Sequence, residues 1–96
     1  MNFGQAIEAL KEGKKVAREG WNGKGMFVFK QVSSNVGIQY VPNMQSLPQS
    51  VKDEFVKRGE NLSYLNQMCI VKSDNTIDSW VASSSDTFAE DWQIVE

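Results

Sequence analysis

The sequence predicts a small α+β domain: a mainly antiparallel β-sheet with an N-terminal helix, a middle helix and a short C-terminal helix. Three observations carry this. The first dozen residues have the spacing of an amphipathic helix. Later β-prone runs are separated by Asn, Asp, Ser and Gly, the residues of tight turns. Helices interrupt these hairpin-linked strands instead of alternating regularly with them, which favours α+β over a parallel α/β sheet.

The elements follow in order. Asn2 is a candidate N-cap, with Gln5 three residues on as its capping-box partner. Phe3, Ala6, Ile7 and Leu10 fall on one face at i, i+3, i+4 and i+7, so a helix is predicted over 3–12. Gly13 supplies its left-handed stop, and Lys11, Lys14 and Lys15 complement the negative end of its dipole. Residues 14–18 read as a short strand around Val16, and residues 26–32 as a second. Met26, Phe27, Val28 and Phe29 are apolar on both sides of that strand. Either a helix covers each face or one face meets another subunit. The small amount of chain favours the second arrangement.

Residues 33–47 are polar and broken, with a short extended piece at Ile38, Tyr40 and Val41. Ser46 as N-cap, Pro48 in the first turn and Gln49 in the capping box predict a helix over 47–58. Val51, Phe55 and Val56 form its buried stripe and Gly59 its stop. Residues 64–72 read as a strand, Ser73-Asp74-Asn75-Thr76 as a hairpin turn, and residues 77–82 as the return strand. Ser83-Ser84-Ser85-Asp86 caps a short helix near 85–90, and residues 92–95 close as a strand. The 96 residues are read as one domain with a variable loop-helix insertion at 33–60.

Composition narrows the function classes. The net charge is −2, without the basic stripe that polymeric nucleic acid demands, so no nucleic-acid partner is expected. Histidine is absent, which removes the commonest general base and the commonest metal ligand. The lone Cys69 lies in an apolar run and reads as a core residue in a reducing cytosol. No zinc site, other metal or cofactor is expected. No run approaches the length of a membrane span, and no signal peptide is read. A cytoplasmic protein is therefore expected.

Two segments have ligand-binding character. In Arg18-Glu19-Gly20-Trp21-Asn22-Gly23-Lys24-Gly25-Met26, the Trp21 indole offers a flat face for a base, and glycine N–H groups or Lys24 offer an anion contact. A hairpin turn whose tryptophan covers the sheet end explains the same residues, and Asn22-Gly23 is a strong turn signal either way. In Trp80-Val81-Ala82-Ser83-Ser84-Ser85-Asp86-Thr87, four hydroxyls and a carboxylate stand where a strand gives way to a helix start, the usual anion seat. Ordinary capping by Ser83 or Ser85 explains these too. Asp86 disfavours a phosphate at that spot but suits ribose hydroxyls or a base amine. Glu90-Asp91 reads as a solvated helix end, and Lys57-Arg58 as a complement to a helix dipole.

The opening MNFGQAIEALKEGKKVAREGWNGKGM and the closing pattern of Trp80, Ser83, Asp86, Ala89, Asp91, Trp92, Ile94 and Val95 resemble a family of small phage and prophage proteins, the Thoeris anti-defence sponges of the second type. The resemblance runs nearly end to end and is sharpest in the first ~26 and last ~20 residues, a range within one small domain. It implies non-enzymatic capture of cyclic ADP-ribose isomers, and in some relatives cyclic dinucleotides in separate pockets, so that a defence effector is never switched on. It also implies a homo-oligomer, typically a tetramer, with ligand at the subunit junctions. On this footing Trp21 becomes the base-stacking residue, and Arg18, Asn22, Lys24, Trp80, Ser83, Asp86 and Thr87 become polar or wall contacts. Two other classes stay open. One is an enzyme cleaving such a signal with Asp86 or Glu90 as base; the other is a protein-binding inhibitor or structural phage module using Trp21 and the apolar strand.

Overall fold

The computed structural model describes residues 1–21 and 25–96. They form an α+β structure in two compact units, Met1–Gln31 with Asn66–Glu96, and Val32–Leu65. The first unit holds a five-stranded antiparallel sheet. Its elements are helix α1 (Phe3–Lys11), strands β1 (Lys15–Arg18), β2 (Phe27–Lys30), β5 (Met68–Val71) and β6 (Ile77–Ser79), helix α3 (Ser84–Phe88) and strand β7 (Trp92–Val95). The second unit holds β3 (Ser34–Val36), a 3₁₀ turn over Ile38–Asn43, helix α2 (Gln49–Arg58) and β4 (Leu62–Tyr64).

Helix α1 forms as its sequence dictates. The Asn2 side chain accepts from the Gln5 N–H at 2.8 Å, and the Gln5 side chain accepts from the Asn2 N–H at 2.9 Å. This reciprocal pair satisfies two N–H groups that a helix start would otherwise leave bare. Gly13, at φ 86°, turns the chain into β1. Ala6, Ala9 and Leu10 are buried, while Phe3 and Ile7 pack at the margin of the same core.

The sheet order is β6-β5-β2-β1-β7, which makes β6 and β7 its edges. Register assigns the faces. Val16 lies opposite both Val28 and Ile94, and Val28 opposite Ile70. Directly paired residues share a face, so Val16, Val28 and Ile70 form the buried layer under α1, joined by Trp92. The other face carries Lys15, Ala17, Phe27, Phe29, Gln93 and Val95 by the same alternation. Phe27 and Phe29 are only half-buried there. The apolar run at Met26–Phe29 therefore does present two faces, one of them closed by α1.

Several expected boundaries need correction. Residues 64–72 are not one strand. Leu62–Tyr64 pairs with Ser34–Val36 in a separate two-stranded sheet, and only Met68–Val71 joins the main sheet. A partner 28 residues away, such as Asn35 to Ser63, leaves no periodic trace in the sequence. Ile38–Asn43 is a 3₁₀ turn, not an extended piece: Tyr40 N–H bonds the Gly37 carbonyl, and Met44 N–H the Val41 carbonyl. Pro42 sits within it with its φ fixed near the helical value. Helix α2 starts at Gln49 with Pro48 as cap and no side-chain capping bond, so Ser46 is not its N-cap. Val51, Phe55 and Val56 are not a buried stripe; Val56 is 53% exposed. Gly59 does end the helix in the left-handed region, at φ 70°. Strands β2 and β6 are shorter than expected. The 73–76 hairpin turn forms as expected, with Asn75 at φ 67° and Asp74 accepting from the Thr76 N–H.

Burial sets the first expected outcome. Leu10 is 3% exposed and sits in the core, so Leu10→Ala removes buried methyl groups and leaves a void. It lowers unfolding free energy by about 2–5 kcal/mol in urea denaturation. Val81→Ala, at a residue 85% exposed, stays within about 0.5 kcal/mol of the parent.

Candidate functional site

The two ligand-like segments meet at one end of the main sheet. Trp21 follows β1, and Trp80 and Ser83 lead into α3. The ring centroids of Trp21 and Trp80 are 5.9 Å apart, and those of Trp21 and Trp92 are 5.4 Å apart, both edge-on. Trp80 and Trp92 close the triangle at 5.9 Å, and Phe3 from α1 packs against both. Edge-to-face contact matches the positive rim of one ring to the negative face of the next. Trp92 is 2% exposed and donates its indole N–H to the Asp86 carbonyl at 2.9 Å. Trp21 and Trp80 are half-buried, so Trp21 is braced by aromatic neighbours instead of standing free on a turn.

Beneath this cluster lies a charged knot. Arg18 Nε donates to Asp91 at 2.9 Å, and Arg18 Nη1 donates to Asp86 at 3.0 Å. The side chains are about a quarter (Arg18), a seventh (Asp86) and a third (Asp91) exposed. Arg18 lies opposite Trp92 in the β1–β7 ladder and therefore points to the α1 side of the sheet. The other Asp86 oxygen accepts from the Ser83 N–H at 3.1 Å and the Ser83 hydroxyl at 2.9 Å, while the Ser83 hydroxyl accepts from the Asp86 N–H. This capping box fills the start of α3 with the chain's own carboxylate. The Thr87 hydroxyl donates to the Ser83 carbonyl at 2.9 Å.

Electrostatics follow from these partners. Burial pushes the Asp86 carboxyl up, but the Arg18 hydrogen bond, the Ser83 bonds and the Arg18 charge outweigh it and hold it below the usual carboxylate range. Arg18 is held above its ordinary value by its hydrogen bonds to Asp91 and then Asp86. Both groups stay charged across physiological pH.

A family model, the Thoeris anti-defense 2-like domain, matches residues 1–95. The chain belongs to this family. It is also 38% identical over 95 residues to the Thoeris anti-defense 2 protein of Bacillus phage SP01, covering 99% of this chain and 94% of that relative. An anti-defence role comes with that membership.

Of the site residues expected in this family member, the structure brings together Arg18, Trp21, Trp80, Ser83, Asp86 and Thr87. Their relation is mutual: Arg18, Ser83 and Asp86 bond one another, and the tryptophans pack together. Asn22 and Lys24 lie outside the described residues. Asp91 is a partner of Arg18, which corrects its reading as a solvated helix end; Glu90 is exposed. Arg58 pairs with Glu54 at 2.9 Å on its own helix. Among the described residues, no cluster of three or more His, Cys, Asp or Glu side chains could hold a metal ion, and no helix is long and apolar enough to cross a membrane.

Sequence reasoning missed a cleft at the Trp21 end of the β1–β7 ladder. It has a volume of about 270 Å³ and is lined by Ala17, Trp21, Gly25, Met26, Gln93 and Val95, with Arg18 and Glu19. The signal for Gln93 was the alternation of Trp92-Gln93-Ile94-Val95, which sets an exposed amide on the face away from Trp92.

The Asp86 partners predict a pH response. A carboxyl held below its unfolded value of about 3.9 stabilises the fold fully above that pH, and the contribution disappears as pH falls through the folded value. Asp86→Asn therefore lowers Tm at neutral pH and flattens the loss of Tm below about pH 4. Thermal melts between pH 7 and 2.5, a range spanning these carboxylate values, read both effects. A parallel downward displacement of the whole profile contradicts the assignment.

Proposed function

We propose that this protein is a non-enzymatic sponge. It captures cyclic nucleotide immune signals, cyclic ADP-ribose isomers first and cyclic dinucleotides as a further class, and so blocks a Thoeris-type defence in the host bacterial cytoplasm. The observation that carries the reading is the convergence of the two family-like segments on one aromatic corner, where Arg18 is bonded to both Asp86 and Asp91. A general base needs a carboxylate free to take a proton and a pKa near the working pH. Asp86 has neither property: both its oxygens accept hydrogen bonds, and it is held ionised. That geometry favours binding over turnover and weighs against signal cleavage by Asp86.

In this reading Trp21 stacks on the base. Base–aromatic stacking contributes about 1–3 kcal/mol, whereas nanomolar capture needs about 12 kcal/mol. The remainder comes from sugar and phosphate contacts and from enclosure between subunits. The half-buried Phe27 and Phe29, on the sheet face away from α1, fit a homo-oligomer, typically a tetramer in this family, with ligand at the subunit junctions.

The test is recovery of the ligand. A cyclic ADP-ribose isomer mixed with the protein and released by heat returns chemically unaltered; a linear or hydrolysed product contradicts the proposal. Trp21→Ala weakens capture about ten-fold or more in calorimetry, the loss of roughly one stacking contact. Because Trp21 braces Trp80 and Trp92, the same substitution also lowers Tm. Unchanged affinity in folded Trp21→Ala protein removes Trp21 from the site.

A further inference from the structure

The cleft beside Trp21 continues into a second hollow. This one has a volume of about 380 Å³ and is lined by Gly13, Lys14, Lys15, Ile94, Val95 and Glu96. Val95 belongs to both. The two therefore meet along edge strand β7. Ligand sites run from about 300 to 1,000 Å³; the first hollow falls just short of that range and the second lies near its lower end.

The two ends differ in chemistry. One end is flat, apolar and amide-bearing: the Trp21 ring, Met26, a floor at the buried Ala17, and the exposed Gln93 carboxamide opposite it. The other end carries charge of both signs, with Lys15 as its cation and Glu96 beside it. Lys15 lies 5.3 Å over the Phe27 ring, and its ammonium reaches within 3.5 Å of the Glu96 carbonyl. Lys14 is already paired with Glu12 at 3.1 Å. Ala17 and Lys15 share a face two residues apart, about 7 Å at the rise of a strand, which suits the reach from a nucleobase to its nearest phosphate. Glutamates line both ends, Glu19 beside Trp21 and Glu96 beside Lys15, and the Lys15 ammonium makes its end the better seat for a phosphate.

A carboxamide is the side chain that pairs with the amino and ring-nitrogen edge of adenine, donating to N7 and accepting from the N6 amine. We propose that the β1–β7 edge is a nucleotide seat in which Gln93 reads the base as an aminopurine and Lys15 meets its phosphate. This rests on the sponge reading and deepens it: Gln93 sets which base is accepted, and Asp86 and Asp91 hold Arg18 at the rim of the seat.

The test compares cyclic ADP-ribose isomers carrying an unsubstituted adenine with their hypoxanthine counterparts, in calorimetry with the full chain. The parent protein prefers adenine by about ten-fold or more. Gln93→Leu reduces that preference to within about two-fold, since a bidentate amide pair is what sets it. Gln93→Glu, similar in shape but unable to donate to N7, binds the adenine ligand more weakly at unchanged Tm. Lys15→Gln weakens both ligands alike and lessens the salt dependence of binding, as loss of a phosphate contact requires. If adenine and hypoxanthine ligands are captured equally by the parent, or if Gln93 variants keep its preference, the base-reading assignment is overturned while sequestration stands. If the parent binds none of these compounds, both proposals are overturned.

Discussion

One guanidinium fixes the corner where β1, α3 and β7 meet. Arg18, at the end of β1, reaches one carboxylate on α3 and another just before β7, bonding residues 68 and 73 positions away in sequence. Removing Arg18 would leave two partly buried carboxylates without their shared cation, which is costlier than a surface pair is worth. The consequence is positional. With Asp86 held, its carbonyl receives the Trp92 indole N–H, its carboxylate caps α3 through Ser83, and Trp92 seats the aromatic cluster. Trp21 and Trp80 then have rigid neighbours, which is the pre-organisation a tight binder needs.

This arrangement separates two jobs that the sequence alone ran together. Arg18, Ser83 and Asp86 have the composition of an anion or ribose site, yet both Asp86 oxygens and two of the Arg18 donors are engaged within the chain. The open cleft lies along the same ladder, where Ala17, Gln93 and Val95 line it beside Arg18. A strand that alternates the buried Trp92 with the exposed Gln93 presents two chemistries within four residues. That compactness suits a chain whose main sheet has only four-residue strands on either side of the corner.

How much of this was legible in the sequence depended on range. Local rules worked. The Asn2–Gln5 capping box, the Gly59 stop and the Asp74–Asn75 turn are each fixed by residues within four positions of one another, and each is present. The Ser83–Asp86 box was visible too, but as one of two readings, because the same residues serve a cap or an anion seat. Long-range pairing was not legible. Nothing in Leu62-Ser63-Tyr64 reveals that it leaves the main sheet to pair with Ser34-Asn35-Val36. Nothing in Glu90-Asp91 reveals that Asp91 answers an arginine near the start of the chain. Gln93 was overlooked for a simpler reason: a single amide in an apolar strand stands out only once the face it occupies is known.

The division between knot and cleft is most directly tested by NMR titration with a cyclic ADP-ribose isomer. Amide shifts should concentrate at Ala17, Trp21, Gln93 and Val95, while the Arg18 Nε–H signal keeps its free-state position. Shifts centred on Ser83 to Thr87, with the Arg18 Nε–H signal displaced, would mean that the ligand breaks into the charged knot and that the corner is itself the binding site.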